Sequence, residues 1–139
     1  MSRKTARENA YKLIFEYLFS AEKDSFSYEV LLKNPKISKE DIDFTTSLYS
    51  GAVARYEDIT ALIAKNAQGF SLERIYKPDL AALVLAVYEM AYTDTPKTVA
   101  ITEAIDLVKA YSTEKSGSYV NGILASIYRE LIAKEGKND

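Results

Sequence analysis

The chain has 139 residues, with 18 Lys+Arg, 20 Asp+Glu, 5 Gly, 3 Pro and neither His nor Cys. One domain with a self-sufficient core is expected at that length, and the missing residues exclude disulfides, thiol nucleophiles, thiolate zinc sites and histidine-based catalysis or metal binding. The formal charge of −2 hides a polarity: Arg3, Lys4, Arg7 and Lys12 against Glu8 give residues 1–12 a net +3, which leaves −5 for the rest.

Helical spacing dominates the chain. Ala6, Ala10, Leu13, Ile14, Tyr17, Leu18 and Ala21 recur at three- and four-residue steps and predict one long first helix. A shorter helix fits Phe26 to Lys33 and stops before Asn34-Pro35, because proline disfavours helical geometry at the preceding residue. Ser38 followed by Lys39-Glu40-Asp41 reads as an N-cap with acids at the positive end of the dipole. The stripe Ile42, Thr45, Leu48, Ala52, Tyr56, Ile59 and Ile63 then predicts a single helix to about Ala67, with Gly51 marking a bend or a close helix contact and Gly69 a stop.

Ser71 to Ile75 fits one turn, and Pro78 suits the first position of the next helix, where its missing N–H costs nothing. That helix runs to Tyr92 and is apolar on all sides from Leu80 to Val87, which predicts a central, buried element. Thr95-Pro96 opens another, with Ile101, Ala104, Ile105, Val108 and Tyr111 inward and Thr102, Glu103, Asp106 and Lys109 outward. The polar stretch Ser112 to Ser118 ends it, and a final helix carries Val120, Ile123, Leu124, Ile127 and Leu131. Within it, Asn121 is expected to make a buried hydrogen bond and Gly122 to admit a neighbouring helix. The fold class is therefore all-α, with six to seven helices and no strand. The longest apolar run, Leu80 to Tyr88, is far short of the roughly 20 residues a membrane span needs. A soluble intracellular protein without a membrane partner is expected.

Three groups of residues invite a chemical reading. Arg3, Arg7 and Tyr11 stand at i, i+4 and i+8, flanked by Lys4 and Lys12, with Phe15 one turn on. Cations fixed beside aromatic rings suit single-stranded RNA, the cations on phosphates and a ring under a base; an ordinary solvated helix face fits the same pattern. The stretch from Tyr111 to Tyr119 offers hydroxyls, Lys115 and a ring at the head of a helix, where free N–H groups attract phosphate or simply cap. Glu103 and Asp106 form an E-x-x-D pair of the kind that holds magnesium in all-α pyrophosphohydrolases. The second acidic motif those enzymes need is absent, as is any phosphate-binding glycine loop, so a non-enzymatic protein without cofactor or metal is expected.

Four segments in order carry a resemblance to one family. Arg3-Lys4-Thr5-Ala6-Arg7 resembles the R-R-x-A-R opening of the NusB transcription antitermination family. The segment Leu83 to Met90 is similar to its L-R-x-A-x-Y-E-L, Pro96 to Lys109 to its P-x-x-V-A-I-N-E-A-I-E-L-A-K, and Tyr119 to Leu124 to its F-V-N-G-V-L. The resemblance implies two packed helical subdomains, here about 1–70 and 71–139, acting as one RNA-binding domain. It implies a bacterial, cytoplasmic factor that binds single-stranded boxA-type RNA of ribosomal RNA operon leaders. The implied partners are NusE, a ribosomal protein of the small subunit, and the antitermination complex on RNA polymerase.

Carried over, the RNA face uses Arg3, Lys4, Arg7, Phe15, Lys115 and Tyr119, to which the basic stripe adds Tyr11 and Lys12, and Asp79 falls where the family has an acid facing NusE. Val84 stands in place of the family's Arg, Thr102 in place of Asn, and Lys4 in place of the second Arg, keeping charge without the guanidinium fork. A protein-binding module that keeps NusE but not specific RNA is the alternative, and the resemblance leaves homodimerisation open. A similar fold begins RNA cytosine methyltransferases; with no α/β domain after Asp139 in this sequence, that role is not expected here.

Overall fold

The computed structural model describes residues 3–69 and 71–137. Among these the chain forms α1 (Arg3–Ser20), α2 (Phe26–Leu32), α3 (Lys39–Ala54), α4 (Tyr56–Asn66), a 3-10 turn (Leu72–Arg74), α5 (Lys77–Tyr92), α6 (Lys97–Tyr111) and α7 (Ser116–Lys137), and no strand. The all-α expectation holds. Ser25 and Ser38 cap α2 and α3, accepting from the backbone N–H groups of Tyr28 and Asp41 at 3.2 Å each.

α5 is the axis of the fold. Every residue from Leu80 to Val87 is buried, and α1, α3, α4, α6 and α7 all pack against it. A helix without a polar face has no side to turn to water, so it is wrapped by helices that each supply one apolar stripe. Val84, which stands where the resembled family has Arg, is fully enclosed and joins this core through its apolar side chain.

Three sequence expectations are corrected. The stripe from Ile42 to Ala67 is two helices, not one, broken at Arg55 with φ −107° and ψ 15°. α3 packs on α1 and α5 whereas α4 packs on α5 and α7, and one straight rod cannot serve both sets of neighbours. Tyr56 and Arg55 hold the corner, the Tyr56 ring edge-on to Tyr17 at 5.3 Å and the Arg55 guanidinium 4.7 Å from the Tyr92 ring centre. Gly51 is no bend; it is the close contact, because a Cβ there would overlap the Tyr88 hydroxyl and ring. The second correction concerns Asn121 and Gly122, which are exposed, with nothing within 4 Å of a Cβ at Gly122. α7 buries Val120, Ile123, Leu124 and Ile127, and this register turns Asn121 and Gly122 outward. On α6, Leu107 takes the inward place expected for Tyr111, whose ring is exposed. No helix is long and apolar enough to cross a membrane among the described residues.

Candidate nucleic-acid interface

The basic stripe of α1 divides as the helix meets α5. Arg7 is only 8% exposed and Glu89 of α5 only 1%. The Arg7 Nε donates to both Glu89 oxygens at 2.9 and 3.1 Å, and Nη2 donates to Oε2 at 2.9 Å. Thr95 completes the shell, its hydroxyl donating to Glu89 Oε2 at 2.9 Å. Burial opposes charge on Arg7, but the hydrogen bonds and charge of Glu89 outweigh it and hold the guanidinium pKa above its ordinary value. Tyr11 is likewise interior, 3% exposed, and its hydroxyl donates to the Pro78 carbonyl at 3.0 Å. Burial and then the charge of Asp79 push the Tyr11 phenol up to about 12. The surface position expected for Arg7 and Tyr11 is thus corrected: both sit on the flank of α1 that α5 covers, one residue on from Ala6 and Ala10, and both are spent on internal partners. Glu89 was the missed signal, since an acid in the apolar body of a helix, past its first turn, needs a buried partner.

The remaining cations stay outside. Arg3 is exposed and lays its guanidinium 3.8 Å from the Phe44 ring centre, on the α3 side of α1. Lys4 points the other way, to α6, where its ammonium lies 3.1 Å from Asp106 and 3.9 Å from Glu103. The hydrogen bond and charge of Asp106, followed by the charge of Glu103, raise the Lys4 pKa. The two carboxylates of the E-x-x-D pair thus meet a lysine.

Two clefts flank the N-terminus of α5. The first, about 200 Å³, is lined by Tyr11, Lys12, Phe15, Pro78 and Tyr111. The Lys12 ammonium stands 5.1 Å from the Tyr111 ring centre, and Tyr111 is fixed by a 2.7 Å hydrogen bond from its hydroxyl to Glu8. The second, about 240 Å³, is lined by Arg74, Ile75, Tyr76, Asp79, Thr113, Lys115, Ser116 and Tyr119. Its turn is pinned by Ser116, whose buried hydroxyl accepts from Thr113 N–H at 3.1 Å and lies 2.9 Å from that of Ser112. Ser112 in turn donates to Asp79 Oδ1 at 2.6 Å. Burial, then the Asp79 charge, raises the Tyr119 phenol pKa.

The structure therefore gathers Lys12, Phe15, Lys115 and Tyr119 about the α5 N-terminus, and Lys4 joins the strip through the shallow contact of Glu8 and Tyr111. Arg3 lies apart, over Phe44. Asp79, which the resemblance puts where the family has an acid facing NusE, is 5% exposed at the base of the second cleft and accepts a hydrogen bond from Ser112. Sequence reasoning missed Arg74 and Tyr76 as cleft residues; a tyrosine placed just before Pro78 and the apolar helix was the available sign.

Comparison with known proteins places the chain. The model of the NusB family matches residues 4–129. The chain belongs to the NusB family. The transcription antitermination protein NusB of Finegoldia magna is 39% identical over 93% of this chain and 95% of its own length. The solved structure of T. maritima NusB superposes with a TM-score of 0.83 at 31% identity, covering 94% of this chain and 92% of that one. A solved complex of the antitermination factors NusB and NusE with double-stranded RNA contains a chain that superposes with a TM-score of 0.81 at 28% identity, covering 92% of this chain and 96% of that one.

Proposed function

We propose that this NusB-family chain is a transcription antitermination factor that binds RNA together with NusE, using the strip that runs from Lys4 past Lys12 and Phe15 to Lys115 and Tyr119. The observation that carries the reading is the convergence of cations and accessible rings on the two clefts at the α5 N-terminus. Lysines hold phosphates as point charges, and open rings offer stacking platforms for unpaired bases. Arg3 extends the positive surface beyond the strip, whereas Arg7 and Tyr11 serve it only by holding α1 on α5. The RNA is a single-stranded boxA-type element of ribosomal RNA operon leaders, and the destination is the antitermination complex on RNA polymerase in the bacterial cytoplasm.

Exposed apolar side chains support a protein partner: Phe19 at the end of α1 and Phe26, Val30 and Leu32 along α2. We assign that partnership to NusE and leave self-association to sedimentation of the free chain.

The test is RNA affinity with and without NusE, on single- and double-stranded boxA RNA. The reading predicts modest binding alone, tighter binding with NusE, and preference for the single strand. A NusE complex indifferent to RNA would favour the protein-binding module instead, and binding to neither would remove the reading.

A further inference from the structure

The second cleft has a chemistry of its own. At about 240 Å³ it is smaller than the roughly 300–1,000 Å³ of pockets that enclose drug-sized ligands, and it has room for one heterocyclic ring. Tyr76 and Tyr119 are among its walls, with Tyr76 58% exposed although it opens a buried helix. Arg74 and Lys115 are exposed at its edge, and neither forms an ion pair among the described residues. Its base is acidic. Asp79 Oδ1 accepts from Ser112 at 2.6 Å, and no donor reaches Oδ2 among the described residues. A carboxylate at the base repels phosphate and accepts N–H, so the floor and the edge favour different parts of one nucleotide.

We infer that this cleft is a subsite for a single unpaired nucleobase and that Asp79 makes it selective for guanine over uracil. The inference rests on the RNA-binding reading above. Guanine presents two adjacent donors, N1–H and the N2 amino group, on its Watson–Crick edge, where uracil presents one N–H between two carbonyl oxygens. A carboxylate pairs with the first and is repelled by the oxygens of the second. Tyr76 and Tyr119 flank the ring, and Arg74 and Lys115 take the neighbouring phosphates. Asp79 is thereby assigned to base selection rather than to the protein partner.

The experiment uses the full chain and two RNA 11-mers, one all uridine and one with a single central guanosine, titrated by fluorescence anisotropy. The guanosine strand is expected to bind about tenfold more tightly, the scale of one hydrogen bond to a charged group. Asp79→Asn, whose amide both donates and accepts, is expected to erase that preference from both sides, weakening the guanosine strand and relieving the repulsion of the uracil oxygens in the all-uridine strand. Tyr76→Ala is exposed enough to spare the fold and is expected to reduce the preference too; it decides the matter if Asp79→Asn lowers the melting temperature sharply. Equal affinities for the two strands, or a preference that survives Tyr76→Ala and a folded Asp79→Asn, would overturn the subsite. So would an Asp79→Asn protein that loses NusE binding but keeps the preference. Salt-dependent binding that needs Lys12 but ignores the base identity would overturn only the subsite, whereas no binding to either strand would overturn the RNA reading with it.

Discussion

Arg7 and Lys4 lie on the same helix, three residues apart, and carry the same charge, yet they belong to different regions of the molecule. The inner seam, Arg7 and Tyr11 against Glu89 and Pro78, is buried and hydrogen-bonded. The outer strip, Lys4, Lys12 and Lys115 with Phe15, Tyr111 and Tyr119, lies at the surface, where Lys4 meets Asp106 at 3.1 Å and the Lys12 ammonium stands 5.1 Å from the Tyr111 ring centre. A basic helix is thus not one electrostatic object. Its cations are committed to the fold where α5 offers a carboxylate, and they stay at the surface where it does not.

The largest effect is expected from breaking the seam. Arg7→Ala leaves the Glu89 carboxylate buried without its cation and should cost about 3–5 kcal/mol in urea unfolding. The paired change Arg7→Met with Glu89→Leu should recover much of that loss, since apolar replacements of a buried pair are often neutral. RNA affinity measured on the recovered protein should match the parent; a large loss there would move Arg7 back to the strip. Next in size is the helix contact beside the seam. Gly51→Ala drives a methyl into Tyr88 and should cost about 1–3 kcal/mol by the same assay.

A pH titration separates the regions further. Tyr11 and Tyr49 ionise at about 12 in the folded protein against roughly 10 in the unfolded chain. Their folded pKa values are raised, so their contribution is fully present below about pH 10 and lost as pH climbs toward 12. Without histidine the urea midpoint should stay nearly flat from about pH 6 to 9. A steep change within that interval would mean that another group couples to the seam. The smallest effect belongs to the strip: Asp106→Asn releases Lys4 from its nearer carboxylate and should tighten RNA binding about two- to fivefold, with the melting temperature unchanged. Weaker binding would place Lys4 outside the interface.

Much of this was legible in the residues. Pro78 and the apolar run after it located α5 and its burial, and Ser38 located the start of α3, because caps and periodicity are local physics. The break at Arg55 was not legible, since the stripe continues across it and only the positions of α1 and α7 require two helices. The site was read in part. Spacing at i, i+4 puts Arg3, Arg7 and Tyr11 on one side, but it does not say which of them a neighbouring helix will cover. Glu89, 82 residues beyond Arg7, decides that. Asn121 shows the same limit: a poor helix former inside a helix suggests a buried role, whereas the register of Val120, Ile123 and Leu124 faces it to solvent.

The central claim, that the outer cations bind RNA and the inner one holds the fold, is tested most directly by the salt dependence of RNA binding. The measurement compares the parent with the triple change Arg3→Ala, Lys4→Ala and Lys12→Ala, with unfolding followed on the same samples. Each phosphate contact on a single strand contributes about −0.7 to the slope of log affinity against log salt, so the triple variant should be shallower by about 2. Its urea midpoint should be that of the parent. An unchanged slope in a folded triple variant would contradict the account.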